Sequence, residues 1–478
     1  MTQEPRPATL SASEIRRLTE LVADERFTRA AAPGGAGSGT GGARPRTPGI
    51  EEFSAEAAEL LGAEAVLRDE SALDKASRDW AHMSPILAAK AAALPAGRAE
   101  VVLRPTSHEQ VPGILALAHR HRVPVTPRGK GTGNYGQAIP LAGGAVLDLT
   151  ACTRILDSGD GWIRAEVGAK MSELEAHARV RGQELWMFPS TFGTSLGGFL
   201  SGGSGGTGSL VHGSNADGFV QELTVVPCTA SAEPFTVRGP DALPYIHAYG
   251  TTGILTTATV SLQAARAWTG LFATFDGDGW GAATTTLSAL VALDPAPRLV
   301  SLDEPGLVQT YAPDPALDPA GPSLRAIIEE EAAPAARELV ERHGGRVLEI
   351  RPAPEGPALV SSLSFNHPTY HLMKAREGYF HLEVGGDVLL GDLTEVRSVF
   401  PGTVLHLEGM RTGTVGMLMA HYEDEQTVYQ GIEALEALGV RVHDVHNWYV
   451  DRRLDLVRET ARSTDPLGLL NPGKLLVP

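Results

Sequence analysis

The sequence predicts an α+β fold built in two parts, and two observations support this class. Between about residues 101 and 262, short β-branched segments alternate with glycine-rich turns, and few helical patterns intervene. A doubly wound sheet would instead alternate strands and helices regularly. Between about residues 265 and 450, strand and helix patterns follow the order β-α-β-β-α-β twice. We therefore expect a strand-rich first part and a ferredoxin-like, duplicated α+β second part.

Composition restricts the class of protein. The 478 residues are 42% hydrophobic, which is enough for two or three domains with cores. The sequence has neither an apolar run long enough to span a membrane nor the apolar stretch of a signal peptide near its start. The net charge of −17 without a basic cluster argues against nucleic acid or an anionic membrane as a partner. We expect a cytoplasmic protein with no membrane anchor and a small-molecule partner. The sequence does not decide between a monomer and a homo-oligomer.

The predicted helices and strands divide the chain into four segments. Residues 1–50 end in AAPGGAGSGTGGARPRTPG, which cannot bury a core and predicts a flexible extension. FSAEAAELLG then predicts a helix that ends at Gly62, and MSELEAHARVRG (171–182) predicts another. A final helix is expected at 452–463. The expected boundaries are 1–50 for the extension, 51–264 for the first domain, 265–450 for the second, and 451–478 for a C-terminal segment that returns to the first.

A glycine-rich loop, PRGKGTGNYGQ, contains the G-x-G-x-x-G pattern of dinucleotide-binding folds. A Rossmann fold requires a helix immediately afterwards, but the chain continues QAIPLAGGA, and Pro140 argues against that helix. Asp148 arrives too soon to be the ribose-binding acid, and no Lys-Ser/Thr pair follows as in a P-loop. The glycines can still present backbone N–H groups to a pyrophosphate. A glycine-rich hairpin without a ligand is the alternative for this loop taken alone.

Two further glycine-rich loops favour a ligand. Residues 189–213, PSTFGTSLGGFLSGGSGGTGSLVHG, contain no Asp, Glu, Lys or Arg, yet their large apolar residues indicate an ordered segment. YGTTGILTTATVSL (249–262) places Gly250 and Gly253 directly before a strand. Three such loops in one α+β domain predict one large ligand threaded between them.

The order of these loops resembles the vanillyl-alcohol-oxidase-type flavoproteins, which carry an FAD-binding domain of the p-cresol methylhydroxylase type. The matching stretches are VTPRGKGTGNYGQA, then STFGTSLGGF and GSLVHG, then GTTGI, and they are nearest to the glycolate oxidase/D-lactate dehydrogenase-like branch. LLNPGKLL (469–476) resembles the C-terminal signature of the family, and SRDW (77–80) resembles a stretch of the 2-hydroxy-acid branch. The resemblance implies a two-subdomain FAD-binding domain at 51–264 and a substrate (cap) domain at 265–450.

The resemblance also implies which residues bind FAD. The first loop would hold the pyrophosphate and the ribityl chain, the second would lie along the flavin, and the third would contact the adenosine through its backbone. The C-terminal pair would close near the isoalloxazine, although an ordinary surface charge is the alternative for its lysine. The residues are, in that order, Pro127, Arg128, Gly129, Lys130, Gly131, Thr132, Gly133, Asn134, Gln137 and Ala138; Ser190, Thr191, Thr194, Ser195, Gly197 and Gly198, flanked by Gly203, Gly206 and His212; Gly253 and Ile254; and Asn471 and Lys474.

The attachment of the cofactor is expected to be non-covalent. Covalent members of the family carry a histidine where Thr132 stands here, and the second loop contains no cysteine. Some members donate a histidine from the cap domain, so that alternative stays open.

Candidate catalytic residues lie in two polar segments of the second domain, SFNHPTYHLMK (364–374) and VRVHDVHNWYVDRR (440–453). Removing a proton from a substrate oxygen requires a base, for which His367, His443, His446 and Tyr449 are the candidates. In an extended strand, His446 would share a side with Asp444, which would raise its basicity. The alternative for each histidine is a structural role with a bond to a backbone carbonyl.

Two further expectations concern charge. Arg411 could pair with a substrate carboxylate, although an exposed arginine is the commoner outcome. His367, His443 and His446 could converge on a metal, but the Glu-His-Gly stretch of the 2-hydroxy-acid branch is absent, so no metal is expected.

These observations predict an FAD-dependent oxidoreductase that transfers a hydride from an alcohol or 2-hydroxy-acid-like small molecule to flavin N5. An oxidase of a phenolic or natural-product substrate is the alternative within the family. A flavin-binding protein without turnover is the alternative from another class, and the failed Rossmann pattern disfavours an NAD-dependent dehydrogenase. The electron acceptor, oxygen or another, stays open.

Overall fold

The computed structural model describes residues 46–94, 97–277 and 279–476, and it contains three β-sheets. The predicted flexible extension at 1–50 therefore lies almost entirely outside the described residues. None of the described helices is long and apolar enough to cross a membrane.

The first sheet has four strands in the order β1-β2-β4-β3, and its last three are parallel. The helix predicted to end at Gly62 does so, because Gly62 adopts φ 90° and its N–H closes on the Ala58 carbonyl. Strand β3 leads directly into the first glycine-rich loop. The elements are β1 Val66–Leu67, β2 Val101–Leu103, β3 Val125–Arg128 and β4 Ala145–Asp148, with helices α1 Ile50–Leu61, α2 Glu70–Ala76, α3 Pro85–Ala92 and α4 Val111–His121.

The second sheet is antiparallel, with the order β5-β6-β10-β8-β9 and β7 paired to β10. The helix predicted at 171–182 ends at Arg179, and the next turn closes through the N–H groups of Arg181 and Gly182. One hydrophobic core joins the first two sheets. The elements are β5 Ile155–Gly159, β6 Trp162–Glu166, α5 Met171–Arg179, β7 Gln183–Leu185, α6 Leu196–Gly202, α7 Ser209–His212, β8 Val220–Val226, β9 Phe235–Arg238 and β10 Ile254–Ala264.

The third sheet confirms the duplicated ferredoxin-like cap. Its eight strands have the order β14-β11-β13-β12-β16-β17-β15-β18, so each half repeats one arrangement and the halves join where β12 pairs with β16. The elements are β11 Trp268–Phe275, α8 Trp280–Val291, β12 Leu299–Asp303, α9 Pro305–Val308, β13 Ser323–Glu329, α10 Ala333–Arg342, β14 Gly345–Pro352, α11 Glu355–Ser362, α12 His367–Ala375, β15 Tyr379–Gly385, α13 Thr394–Val399, β16 Val404–Glu408, β17 Val415–His421, α14 Glu425–Ala437, β18 Arg441–His443 and, after the sheet, α15 Leu454–Thr464.

The two polar segments of the cap lie mostly outside its strands. SFNHPTYHLMK forms helix α12, because Pro368 stands in its first turn, where a missing N–H and a fixed φ are favourable. In the other segment β18 ends at His443, and the chain then runs irregularly to α15. The strand alternation that placed His446 beside Asp444 was therefore wrong.

A buried ionic cluster crosses the middle of the cap sheet. Asp303 on β12 accepts hydrogen bonds from Arg325 at 2.6 Å and from the Tyr311 hydroxyl at 2.5 Å, and His406 lies 2.5 Å from its other oxygen. Burial opposes the charge of His406, but Asp303 prevails and raises the pKa of His406 to about 9. Arg325 also donates to the Leu363 carbonyl at 3.0 Å, so the cluster fixes the loop between α11 and α12.

Replacing Arg325 with leucine is expected to lower the free energy of unfolding by about 3–5 kcal/mol, because the buried Asp303 loses its main counter-charge. Urea denaturation of the flavin-saturated protein measures this. The control is Arg342→Leu, which removes an exposed pair with Glu338 and should cost less than about 0.5 kcal/mol. Equal losses in the two variants would contradict the role given to the cluster.

Candidate active site

A cleft with an empty volume of about 1510 Å³ lies where the three glycine-rich loops meet the cap, and we call it the first cleft. Most residues predicted to bind the cofactor line it. They are Pro127, Arg128, Gly129, Lys130, Gly131, Thr132, Gly133, Asn134, Gln137, Ala138, Ser190, Thr191, Thr194, Ser195, Gly197, Gly198, Gly203, Gly253 and Ile254.

The glycines let the loops approach each other and a ligand closely. A Cβ atom on Gly129 would lie 2.1 Å from the Ser195 hydroxyl oxygen, so a side chain there would require Ser195 or its loop to move. A Cβ atom on Gly250 would likewise lie 2.4 Å from Pro127. The three loops therefore form one continuous wall made largely of backbone.

The wall suits a pyrophosphate. Within the part of the chain that the structure describes, no backbone N–H from Gly129 to Asn134 donates to another protein atom. Arg128, Lys130 and Arg452 supply positive charge to the same cleft. Free N–H groups and cations together are the donor set that a dinucleotide cofactor such as FAD requires, so the residues present fit the predicted group.

The C-terminal pair, Asn471 and Lys474, lies behind the loop and does not line the first cleft. The Asn471 amide donates to the carbonyls of Gln137 at 3.0 Å and Tyr249 at 2.8 Å. Lys474 is fully buried and donates to the Gly136 carbonyl. Both residues support the loop from behind, because their side chains satisfy its carbonyls.

Gly206 and His212 also lie outside the lining, contrary to prediction. A Cβ atom on Gly206 would lie 2.0 Å from the Phe188 carbonyl, so this glycine serves close backbone packing. His212 stacks on Trp186 with ring centres 4.6 Å apart and hydrogen-bonds Gln263.

A chain of polar side chains crosses the cap end of the first cleft. Glu383 on β15 accepts a hydrogen bond from the Tyr135 hydroxyl at 2.9 Å, and its other oxygen lies 2.7 Å from His443 Nδ1. His443 Nε2 lies 2.5 Å from Asp451, and Asn366 donates to the Tyr135 hydroxyl at 3.1 Å. Both nitrogens of His443 therefore face carboxylates.

This environment keeps His443 protonated. Burial disfavours its charge, but Asp451 and Glu383 outweigh that effect and raise the pKa of His443 to about 10. Burial likewise opposes the charge of Glu383, yet His443 lowers the pKa of Glu383 to about 2. A histidine that is already protonated at neutral pH cannot accept the proton of a substrate, so the structure removes His443 from the candidate bases.

Three other predicted catalytic residues do not line the first cleft or the second cleft that adjoins it. His446 is fully buried with Nδ1 2.7 Å from the Ser84 hydroxyl, and burial lowers the pKa of His446 to about 3. Tyr449 packs against Trp448, and Arg411 lies exposed in the turn between β16 and β17. None of these three side chains is placed to contact a substrate.

His367 occupies the most informative position. Its Nδ1 lies 2.8 Å from the Ser362 carbonyl, and its Nε2 lies 3.0 Å from the Thr191 hydroxyl. Since a carbonyl only accepts, Nδ1 must carry a proton, and in the neutral ring Nε2 then accepts from Thr191. Burial lowers the pKa of His367, with the Ser362 carbonyl acting in the opposite direction. His367 is therefore a neutral imidazole with its unprotonated nitrogen directed at Thr191.

A second cleft, with an empty volume of about 1250 Å³, adjoins the first at this position. The two share Thr132, Asn134, Ser190, Thr191 and Asn366. The remaining residues that line the second cleft are Trp80, Tyr311, Ala312, Leu317, Leu359, Ser362, Leu363, His367, Tyr370 and His371.

The histidines considered for a metal do not converge among the described residues, because His443, His446 and His367 bind the separate partners given above. A group of metal-ligating type does occur elsewhere, at His108, Glu109 and Glu166. The guanidinium of Arg154 lies within it, 2.9 Å from Glu109 and 3.0 Å from Glu166. A cation of the protein itself therefore already balances these carboxylates.

Four residues of the site were not predicted from the sequence: Tyr135, Glu383, Asp451 and His247. His247 lines the first cleft, and its Nε2 lies 3.7 Å from Asp451, the carboxylate that also contacts His443. Glu383 could have been suspected because it is an acid within the apolar strand YFHLEV. Nothing local distinguishes the other three.

Replacing Gly129 with alanine is expected to weaken FAD binding by about tenfold or more, because the new methyl group would force the first two loops apart. Flavin fluorescence titration of the apoprotein measures the affinity. Gly193→Ala is the matched control, since its Cβ would meet no atom within 4 Å. Unchanged affinity in Gly129→Ala would contradict the close packing of the loops.

The charged state of His443 should appear in the pH dependence of stability. Its pKa rises from 6.5 to about 10 on folding, so its contribution is full below about pH 6.5 and is lost as pH rises through about 10. The difference in unfolding free energy between the wild type and His443→Gln should therefore shrink across this window, as measured by urea denaturation. His421→Gln, at an exposed site outside the cluster, should show no such trend.

Sequence comparison identifies relatives of the cofactor-binding part. Residues 99–232 match the family of FAD binding domains. The glycolate oxidase subunit GlcD of Escherichia coli K12 is 33% identical over 170 residues, or 34% of each chain. The D-lactate dehydrogenase of Anaerostipes hadrus is 28% identical over 155 residues, which is 32% of this chain and 31% of that protein. The chain thus spans about a third of the length of these curated relatives.

Structural comparison extends over almost the whole chain. An alkyldihydroxyacetonephosphate synthase superimposes with a TM-score of 0.69 at 16% identity, covering 93% of this chain and 91% of that one. A p-cresol methylhydroxylase with substrate bound gives a TM-score of 0.64 at 16% identity, covering 90% and 97%. At such identities the likeness shows the fold. The match over residues 99–232 and the three loops identify FAD as the cofactor, and the structural likeness shows that the chain has the fold of these two proteins.

Proposed function

We propose that this chain is an FAD-dependent oxidoreductase that oxidises the alcohol carbon of a small molecule to a carbonyl. The observation that carries this proposal is the neutral His367, bonded to Thr191 where the two clefts meet. When bound, FAD supplies a hydride acceptor at N5. The protein must then accept the remaining proton from the substrate oxygen.

The bond between Thr191 and His367 provides a route for that proton. The Thr191 hydroxyl donates to His367 Nε2, so its oxygen can accept a hydrogen bond from a substrate hydroxyl. As the substrate O–H proton moves to Thr191, the Thr191 proton moves to Nε2. The imidazolium that results keeps its Nδ1–H on the Ser362 carbonyl. The substrate thus loses a hydride from carbon and a proton from oxygen, which balances the conversion of an alcohol to a carbonyl.

The names of two sequence relatives, glycolate oxidase and D-lactate dehydrogenase, support oxidation at an alcohol carbon. The shared region covers only about a third of each protein, so the substrate of this chain does not follow from theirs. A flavin-binding protein without turnover is the competing function. It would leave the polar relay at the junction of the clefts without a role.

Anaerobic mixing of the flavin-saturated protein with benzyl alcohol, 1-hexanol, glycolate and D-lactate tests the proposal. At least one alcohol should bleach the flavin absorbance, and His367→Ala should slow that reduction about 10²-fold or more while keeping its flavin. His421→Ala, an exposed position outside both clefts, is the control. Flavin that is fully bound but reduced by none of these compounds would favour the protein without turnover.

The same protein should release its flavin into the supernatant on acid precipitation. Thr132 offers no nitrogen for a covalent bond, and the nitrogens of the two histidines that line the first cleft are engaged. His247 Nδ1 donates to the Gly203 carbonyl at 3.1 Å with Nε2 3.3 Å from the Tyr249 hydroxyl, and His443 is held by its two carboxylates. Flavin absorbance remaining in the pellet would contradict non-covalent binding.

A further inference from the structure

We propose that the second cleft binds an uncharged aromatic alcohol, and this inference rests on the proposed function because the same cleft would hold the substrate. Four rings line the cleft as a continuous edge-to-face series. Trp80 meets Tyr370 at 5.5 Å and 80°, Tyr370 meets His371 at 5.7 Å and 76°, and His371 meets Tyr311 at 5.1 Å and 76°. Edge-to-face packing is the arrangement that aromatic rings prefer.

The series is held in place from different directions. Tyr311 is fixed because its hydroxyl donates to the buried Asp303 at 2.5 Å. The backbone of Trp80 is anchored because its N–H donates to the Gly133 carbonyl of the first glycine-rich loop at 2.8 Å, and its ring contacts Tyr370. Tyr370 and His371 are successive residues of α12, the helix that begins with His367. The rings and the proposed base are therefore parts of one preorganised wall.

The cleft offers no counter-charge to a carboxylate. Among the described residues that line it, none is Asp, Glu, Lys or Arg. Burial lowers the pKa values of both His367 and His371, so neither supplies a stable positive charge at neutral pH. Lys374 lies over the Tyr370 ring at 5.7 Å but is not part of the lining. A 2-hydroxy acid would have to bury its carboxylate here without a partner, which is unfavourable.

The position of the cleft suits oxidation of a carbon outside the ring. Leu317, Leu359 and Leu363 complete an apolar seat beside the aromatic series, while Thr191 stands at the boundary with the first cleft. A flat ring in this seat would place an attached CH–OH group toward Thr191. Its hydroxyl could then use the Thr191–His367 relay described above.

Four ligands that differ in aromatic character and in charge distinguish recognition of the ring from recognition of the charge. The flavin-saturated protein is titrated with benzyl alcohol, cyclohexylmethanol, benzoate and glycolate, and binding is followed by calorimetry and by the visible flavin spectrum. Benzyl alcohol should bind about tenfold or more tightly than each of the other three, because it alone combines an aromatic ring with the absence of charge. Tyr370→Leu keeps apolar volume and should remove most of this preference. Tyr379→Leu, at a tyrosine outside both clefts, should not.

The outcomes distinguish this inference from the proposed function. Preference for benzyl alcohol with reduction of the flavin supports both. The same preference without reduction by any alcohol supports the aromatic seat and overturns the proposed oxidation. Tighter binding of glycolate or benzoate, equal binding of cyclohexylmethanol, or no binding of benzyl alcohol overturns the aromatic seat, and flavin reduction by glycolate would still uphold the proposed oxidation.

Discussion

The carboxylate of Glu383 joins three distant parts of the chain, and the geometry of the site depends on it. One of its oxygens binds Tyr135 of the first glycine-rich loop, and the other binds His443 at the end of β18. His443 extends the contact to Asp451 in the C-terminal segment. A buried carboxylate is stable only when such partners are all present. This network therefore connects the cofactor loop, the cap and the C-terminal segment at the first cleft.

Two histidines near the clefts have different protonation states because their neighbours differ in charge. His443 faces two carboxylates and stays protonated, whereas His367 faces a carbonyl and a hydroxyl and stays neutral. The residue type is the same, and the charge of the neighbouring groups decides the protonation state. His443 is therefore a fixed cation within a charge-balanced wall, and His367 is the neutral imidazole that the proposed proton transfer uses.

The similarity to known proteins covers a smaller part of the chain in sequence than in structure. The match to the FAD binding domain family covers residues 99–232, where glycines are required because neighbouring atoms occupy the space of a Cβ atom. The cap keeps its fold across structures that share only 16% identity, because a duplicated β-α-β-β-α-β unit can be built from many apolar combinations. The preference for a substrate should therefore depend on the cap side chains that line the second cleft, among them Tyr311, Tyr370 and His371.

The sequence by itself determined the properties that are local along the chain. The glycine-rich loops, the order of strands and helices, and the duplicated cap followed from it, because backbone freedom and apolar periodicity depend on neighbouring residues. The structure alone decided the partners of the polar side chains. Glu383 and His443 are 60 residues apart and meet because β15 pairs with β18, and Lys474 turns behind the loop because a buried carbonyl there requires a donor. Such contacts depend on sheet topology and burial, which no local pattern specifies, and they determine which histidine can act as a base.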